Sequence, residues 1–163
     1  MNIADADRLL ITPALSLLVE VSGKPMDTPE ARVMLIAIAL QESRLSYRAQ
    51  IRGPARGYWQ FEQGGGVRGV LTHPASQRYA ETIAERLDYE PGVSIVYEAL
   101  ADNDVLAASC ARLLLWTDPR ALPGIDDVDT AWDTYIRNWR PGKPHPDTWA
   151  DMHDQAAAYV RAA

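Results

Sequence analysis

The sequence predicts a mainly α-helical (α+β) protein, a helical domain in which a buried core helix is followed by a short irregular excursion of β-structure and loop. Apolar residues recur at helical spacing along most of the 163 residues. Residues 29–43 are apolar on almost every side, which is typical of a helix enclosed by other elements. Most of the glycines fall between residues 53 and 69, where the helical spacing fails.

The first helix is predicted over residues 8–22, with Gly23 as its stop. The core helix has a sharper start, because Thr28 can cap it and Pro29 suits its first position. Glu30 favours the positive end of the helix dipole, and the helix is expected to run to Ser43. These local signals predict two consecutive helices joined by a short turn.

The excursion is predicted over residues 45–72. Tyr58, Trp59 and Phe61 favour short strands there, and the three glycines 64–66 favour a flexible turn. Helical spacing then resumes in five segments separated by prolines. The predicted helices cover residues 75–88, 94–101, 103–116, 127–139 and 147–161.

Composition limits the function classes. A 163-residue chain with 47% hydrophobic and 23% charged residues fits one globular domain, residues 1–163, and excludes a fibrous or disordered chain. The net charge of −6 argues against nucleic acid and membrane surfaces as partners. The single cysteine excludes an intrachain disulfide, and with only three histidines no zinc site is expected. We therefore expect no metal and no cofactor.

The N-terminal and apolar segments bear on location. The longest apolar run, residues 33–40, has eight residues, whereas a membrane span needs about 18. The N-terminus carries Asp5 and Asp7 where a secretory signal would be basic. We expect synthesis in the cytoplasm without a signal peptide and no membrane insertion.

Glu42 is the first candidate catalytic residue. It follows the apolar stretch of the core helix, shares a face with Ile38 and lies at the negative end of the dipole. Burial and the dipole both disfavour the ionised form, so the pKa of Glu42 should be raised, as a general acid requires. The alternative is a solvated helix-end glutamate paired with Arg44 or Arg48.

Two short motifs add to Glu42. The segment Gly-Tyr-Trp-Gln-Phe-Glu at residues 57–62 resembles the Gly-Leu-Met-Gln-hydrophobic motif of lytic transglycosylases and goose-type lysozymes, with Glu42 and Ser43 matching their catalytic Glu-Ser. The segment Ala-Trp-Asp-Thr-Tyr at residues 131–135 reproduces the spacing of their Ala-x-x-x-Tyr segment, although the following Asn and Gly are absent. Residues 53–62 and 139–144 also resemble small lysozyme-like proteins of phages and prophages.

This resemblance implies a lysozyme-like domain that cleaves the MurNAc-GlcNAc β-1,4 bond of peptidoglycan with Glu42 as general acid. Whether it does so as a muramidase or as a lytic transglycosylase stays open, and Glu62 is predicted as the second carboxylate that a hydrolase needs. Predicted sugar-binding residues supply polar groups and flat aromatic faces. They are Ser43, Tyr58, Trp59, Gln60, Tyr135 and Trp139.

The predicted partners follow from the same resemblance: peptidoglycan glycan strands, and phage virion proteins. A wall-active protein would reach its substrate through a holin lesion or inside an infecting particle. Two other readings stay open, a catalytically inactive lysozyme-like virion or binding protein and a glycosidase acting on chitin or chitosan. Five arginines near Glu42 could steer an anionic glycan, bind phosphates or solvate a loop. They are Arg44, Arg48, Arg52, Arg56 and Arg68.

Overall fold

The computed structural model describes residues 1–50 and 52–163. Its first segment comprises helix α1 (Ile3–Ala6), a π-helical turn (Asp7–Ile11) and helix α2 (Thr12–Ser22) in direct succession. The helical segment begins five residues before the predicted start because the Asn2 side chain accepts a hydrogen bond from Asp5 N. Gly23 ends it with a left-handed φ of +63°, as predicted.

Helix α3 (Pro29–Ser43) is the predicted core helix, and its predicted bounds are confirmed. Thr28 Oγ1 accepts a hydrogen bond of 3.2 Å from Ala31 N at its start. Its residues from 33 to 40 are all buried, and α3 packs most extensively against helix α9 (Pro146–Ala162). The helix therefore runs through the interior and brings its C-terminal end, with Glu42, to the edge of the core.

The excursion after α3 contains almost no β-structure. Among the described residues, the antiparallel pairing is limited to the isolated bridges Ala49–Arg56 and Arg56–Phe61. The prediction of short strands was wrong beyond these bridges, because backbone groups of the segment form turns within it, such as Gly57 N to Arg48 O and Gln60 N to Gly57 O, and its aromatic side chains pack against the helical core. Trp59 shows this directly: it is fully buried and its Nε1 donates to Leu35 O of α3 at 2.9 Å.

Helical structure resumes earlier than the sequence predicts. The three glycines 64–66 lie in a π-helical turn (Gln63–Val67) that leads into helix α4 (Arg68–Thr72), where a flexible turn was expected. Val67, Val70 and Leu71 are buried, and this burial of one apolar face explains the helical conformation of a glycine-rich segment.

The remaining predicted helices are present with small shifts of their ends. They are α5 (Gln77–Arg86), α6 (Val93–Ala99), α7 (Asp104–Thr117), α8 (Val128–Trp139) and α9. The predicted mainly α fold is therefore confirmed. None of the described helices has the length and apolarity needed to cross a bilayer.

Candidate active site

Glu42 is placed by the C-terminal turn of α3. Arg44 adopts a left-handed φ of +53° and ends the helix there. The preceding residue, Gln41, fixes this end to the start of α9: its Nε2 donates to His145 O at 3.0 Å, and its Oε1 accepts from Thr148 Oγ1 at 3.0 Å. Glu42 is half-buried, so its carboxyl group lies at the boundary between core and solvent.

Tyr135 of α8 contacts Glu42 directly. Its hydroxyl donates a 2.6 Å hydrogen bond to Glu42 Oε1. The Tyr135 ring is buried and stacks on Trp149 of α9, with 5.1 Å between ring centroids and an interplanar angle of 7°. Trp132 and Trp139 lie against the same ring at centroid distances of 5.5 and 6.4 Å. This packing fixes the phenol in position to donate to the carboxyl group.

The pKa values of this pair are shifted upward by burial. Loss of solvation raises the pKa of Glu42, and the hydrogen bond from Tyr135, which stabilises the carboxylate, opposes part of that rise. The pKa of Tyr135 is also raised, first by desolvation and then by the adjacent Glu42 charge. Tyr135 therefore stays protonated while Glu42 changes its protonation state.

A cleft of about 800 Å³ opens above this pair, and we call it the Glu42 cleft. Its side chains come from the end of α3, from the segment 60–73 and from the end of α8 with the following loop. Its charged lining residues are two acids and four bases: Glu42, Glu62, Arg68, Arg137, Arg140 and Lys143. The cleft therefore has a positive balance in a protein whose net charge is −6.

Five of the predicted site residues line the Glu42 cleft: Glu42, Gln60, Glu62, Tyr135 and Trp139. Trp139 is fixed by a 2.9 Å hydrogen bond from its Nε1 to Trp59 O and by an edge-on contact with Phe61. Gln60 donates from Nε2 to Gly57 O at 2.8 Å. Glu62 is exposed on the cleft wall, and no ion pair to it is found within the described residues.

Three predicted site residues are not on the cleft surface. Ser43 is fully buried, and its Oγ donates to Ala39 O and accepts from Leu45 N. Trp59 is also fully buried, in the interior beneath the cleft. Tyr58 is 4% exposed and lies under the Arg48 guanidinium, 4.8 Å from its ring centroid. Ser43 was predicted from the match to the Glu-Ser pair, and Tyr58 and Trp59 from their flat aromatic faces, but packing directs these side chains into the protein.

The five arginines predicted to flank Glu42 do not all lie at the cleft. Arg48 forms a two-bond ion pair with Asp104 at 2.7 and 2.8 Å, and Arg44 donates to Leu40 O. Arg56 donates to the carbonyls of Gly53 and Ala55. Among the five predicted arginines, Arg68 lines the cleft. The other basic residues there come from the far end of the chain.

Sequence reasoning missed Arg140 and Lys143. Both lie in the loop between α8 and α9, and Arg140 caps α8 in a left-handed conformation with φ +49°. The signal was present in the run Trp-Arg-Pro-Gly-Lys-Pro at residues 139–144, which combines basic residues with turn formers. Within residues 1–50 and 52–163, no group of three or more His, Cys, Asp or Glu side chains is arranged to hold a metal ion.

Comparison with known proteins gives a limited likeness to one enzyme. The chain is 29% identical over 127 residues to o-succinylbenzoate synthase of Shigella flexneri, which covers 77% of this chain and 36% of the relative. It is 29% identical over 118 residues to o-succinylbenzoate synthase of Escherichia coli O6:K15:H31, covering 71% of this chain and 33% of the relative. The chain thus spans about a third of the length of these relatives. No family model and no solved structure matches it.

These relatives contradict the predicted resemblance to lytic transglycosylases, goose-type lysozymes and phage lysozyme-like proteins. Their name is that of a synthase, and no lysozyme family model matches the chain. The predictions of peptidoglycan cleavage and of an inactive lysozyme-like virion protein are corrected on the same finding. The relatives' name is consistent with an enzyme, as predicted, but not with a glycoside hydrolase or lytic transglycosylase.

Proposed function

We propose that this chain is an enzyme whose Glu42 carboxyl exchanges a proton with a small organic anion held in the Glu42 cleft. The observation that carries the proposal is the 2.6 Å hydrogen bond from the buried Tyr135 hydroxyl to Glu42 Oε1 at the base of an open, basic cleft. A carboxyl group with a raised pKa and a fixed partner can release and recover a proton at a pH above the usual range of a glutamate.

The two residues have different roles in this proposal. Glu42 passes its proton to a basic atom of the substrate and becomes a carboxylate. Tyr135 keeps its own proton and stabilises that carboxylate through the hydrogen bond. In the exchange reaction that basic atom is the ketone oxygen, and the Glu42 carboxylate then takes a proton from the adjacent carbon, which gives the enol and returns Glu42 to its starting state. Tyr135 is therefore a positioning residue for Glu42, and the two form one functional unit.

The substrate class follows from the charge of the cleft. Arg68, Arg140 and Lys143 line it, and no ion pair is found for these three within the described residues. Basic side chains in a cleft attract carboxylates. The curated relatives are named for o-succinylbenzoate, an organic anion with two carboxylates. We carry over only this class of anion from them, because the chain spans only about a third of those relatives.

The proposal is tested by proton exchange. o-Succinylbenzoate carries a methylene group beside its ketone, and its protons exchange with D2O when an acid or base catalyses enolisation. Proton NMR follows the loss of this signal with the wild-type protein, with Glu42→Gln and with Glu85→Gln, an exposed glutamate on α5. We expect Glu42→Gln to lower the catalysed rate by about a hundredfold or more, and Glu85→Gln to leave it unchanged.

Two results would contradict the proposal: wild-type protein that does not accelerate exchange, or a Glu42→Gln variant that is folded and as fast as wild type.

A further inference from the structure

A second cavity lies away from the Glu42 cleft and has a buried arginine in its wall. It measures about 690 Å³ and is formed by the start of α3, the C-terminal half of α7 and the loop 118–124. We call it the Arg112 cavity. Apolar side chains dominate around the arginine: Leu115, Trp116 and Leu122 line the cavity with it.

Arg112 is only 3% exposed, which is unusual for a charged side chain. Its Nε donates to Met26 O at 2.8 Å, and its guanidinium lies 5.4 Å from the centroid of the Trp116 ring. Burial lowers the pKa of Arg112 to about 10, and the charge of Asp27 opposes that change. The side chain is therefore still a cation at neutral pH.

This cation has no counter-charge of its own. No carboxylate of residues 1–50 or 52–163 forms an ion pair with Arg112. Asp27, the acid that acts on it, is held by Arg32 through two hydrogen bonds of 2.7 Å. Asp118, which also lines the cavity, accepts from Arg137 and Asn138. A buried charge without a partner is costly, and buried charges in proteins are therefore usually paired.

The free donors of Arg112 are its two terminal nitrogens, since Nε is occupied by Met26 O. Within residues 1–50 and 52–163, the side-chain nitrogens that are fully enclosed and have no hydrogen-bond partner are those of His153. Nη1 and Nη2 of Arg112 are not among them, so they are not fully enclosed by the protein. Arg112 lines the cavity, so these two nitrogens are the donors it can offer to a ligand there. They form a fork of the kind that binds a carboxylate through two hydrogen bonds.

We propose that the Arg112 cavity binds a small organic monocarboxylate whose carboxylate accepts hydrogen bonds from the Arg112 guanidinium and whose apolar body lies against Trp116 and Leu122. The start of α3 adds the positive end of a 15-residue helix beside the cavity. Glu30 lines the rim and opposes a second negative charge on the ligand, while Arg120 lies on the same rim. The site therefore favours a singly charged, partly apolar acid over phosphate.

Benzoate is the probe for this site, with benzamide as its uncharged match and inorganic phosphate as the polar anion. Each is titrated into 15N-labelled protein at low salt, and chemical shifts are followed for Arg112, for Trp116 and for residues of the Glu42 cleft. We expect benzoate to shift the signals of the Arg112 cavity and to bind at least about tenfold more tightly than benzamide or phosphate.

Three variants distinguish benzoate binding in the Arg112 cavity from binding on the protein surface. Arg112→Met removes the charge with similar volume and should weaken benzoate binding at least about tenfold, whereas Arg120→Gln on the rim should change it less than about threefold. Leu122→Trp fills the cavity, keeps Arg112 and should abolish binding. If Arg112→Met does not fold, the loss of benzoate binding in Leu122→Trp still tests whether the cavity is the binding site.

Glu42→Gln should leave benzoate binding at the Arg112 cavity unchanged, so this inference stands apart from the proposed reaction. Equal binding of benzamide and benzoate would overturn the inference. Shifts confined to the Glu42 cleft, or binding that survives Leu122→Trp, would overturn it as well.

Discussion

Glu42 is under two opposing influences, desolvation that raises its pKa and the Tyr135 hydroxyl that lowers it. The first could be predicted from sequence, because an acid after a long apolar helix must lie near the core. The second could not, since Tyr135 is 93 residues away and only the packing of both α3 and α8 against α9 brings the two together. The same limit explains Ser43 and Trp59, whose burial depends on distant elements.

Replacing Glu42 should stabilise the protein in a pH-dependent way. The folded state binds the Glu42 proton more tightly than the unfolded chain does. This proton therefore contributes its full stabilisation of the folded protein below the unfolded pKa of about 4.3. The contribution is lost as the pH rises through the raised pKa of the folded state. Glu42→Gln resembles the protonated form at every pH. We expect it to be more stable than wild type at pH 8, by about 0.5–2 kcal/mol, and equal to it at pH 4.

Urea unfolding at the two pH values measures this difference, with Glu85→Gln as the exposed control. A Glu42→Gln effect of the same size at pH 4 and pH 8 would show that the substitution acts through packing and not through the proton.

Helix α3 is the element that local sequence predicts best. Its cap, its first-turn proline and its apolar content all lie within the segment itself, so no distant contact is needed to define it. The excursion after it was predicted less well. Its β-prone residues and its glycines are held by contacts to α3 and by burial of Val67, and these depend on the tertiary fold.

The Thr28 cap should contribute to the stability of α3. Thr28→Ala leaves the Ala31 N–H without its 3.2 Å side-chain acceptor, and we expect a loss of about 1 kcal/mol. Urea unfolding measures it. The control is Thr82→Ala in the middle of α5, whose hydroxyl donates only to the Arg78 carbonyl; its effect should stay within about 0.5 kcal/mol. Equal effects of the two substitutions would contradict a capping role.

Gly57 is required by the path of the excursion. Its φ is +72°, and a Cβ there would lie 3.0 Å from Leu100 O and 3.2 Å from Ala107 Cβ. Gly57→Ala should therefore destabilise the protein by about 1–3 kcal/mol through backbone strain and crowding. Gly64→Ala is the matched control, because a Cβ at Gly64 meets nothing within 4 Å. Thermal unfolding compares them, and a neutral Gly57→Ala would contradict this geometry.

The whole molecule has a net charge of −6, yet the Glu42 cleft is lined by more basic than acidic residues. The sequence analysis predicted that the basic residues of the site would be those close to Glu42 along the chain. In the folded protein, Arg140 and Lys143 of the α8–α9 loop line the cleft instead, together with Arg68. Short motifs also gave a wrong prediction of the family, because they compare only a few local positions. Residues 57–62 and 131–135 resemble a lysozyme pattern over a few positions, while the likeness that extends over 127 residues is to o-succinylbenzoate synthase. The helical architecture was predictable because helical periodicity is repeated along most of the chain.

The basic cleft predicts salt-sensitive anion binding. o-Succinylbenzoate should bind more weakly as NaCl is raised, because screening reduces the attraction of exposed charges. Arg140→Gln and Lys143→Gln should each weaken binding by up to about fivefold, since an exposed ion pair contributes roughly 0.2–1 kcal/mol. Isothermal titration calorimetry measures these changes. Lys24→Gln, an exposed lysine outside the cleft, should have no effect. Salt-independent binding would place the anion elsewhere.

Burial raises the pKa of Glu42 above the ordinary range of a glutamate, and the hydrogen bond from Tyr135 opposes part of that rise. Carbon-13 NMR of the Glu42 carboxyl group, titrated with pH in wild type and in Tyr135→Phe, measures both effects. We expect a raised pKa in wild type and a higher one in Tyr135→Phe, because that variant removes a hydrogen bond that favours the carboxylate. An ordinary glutamate pKa in wild type, or a lower pKa in Tyr135→Phe, would contradict the claim.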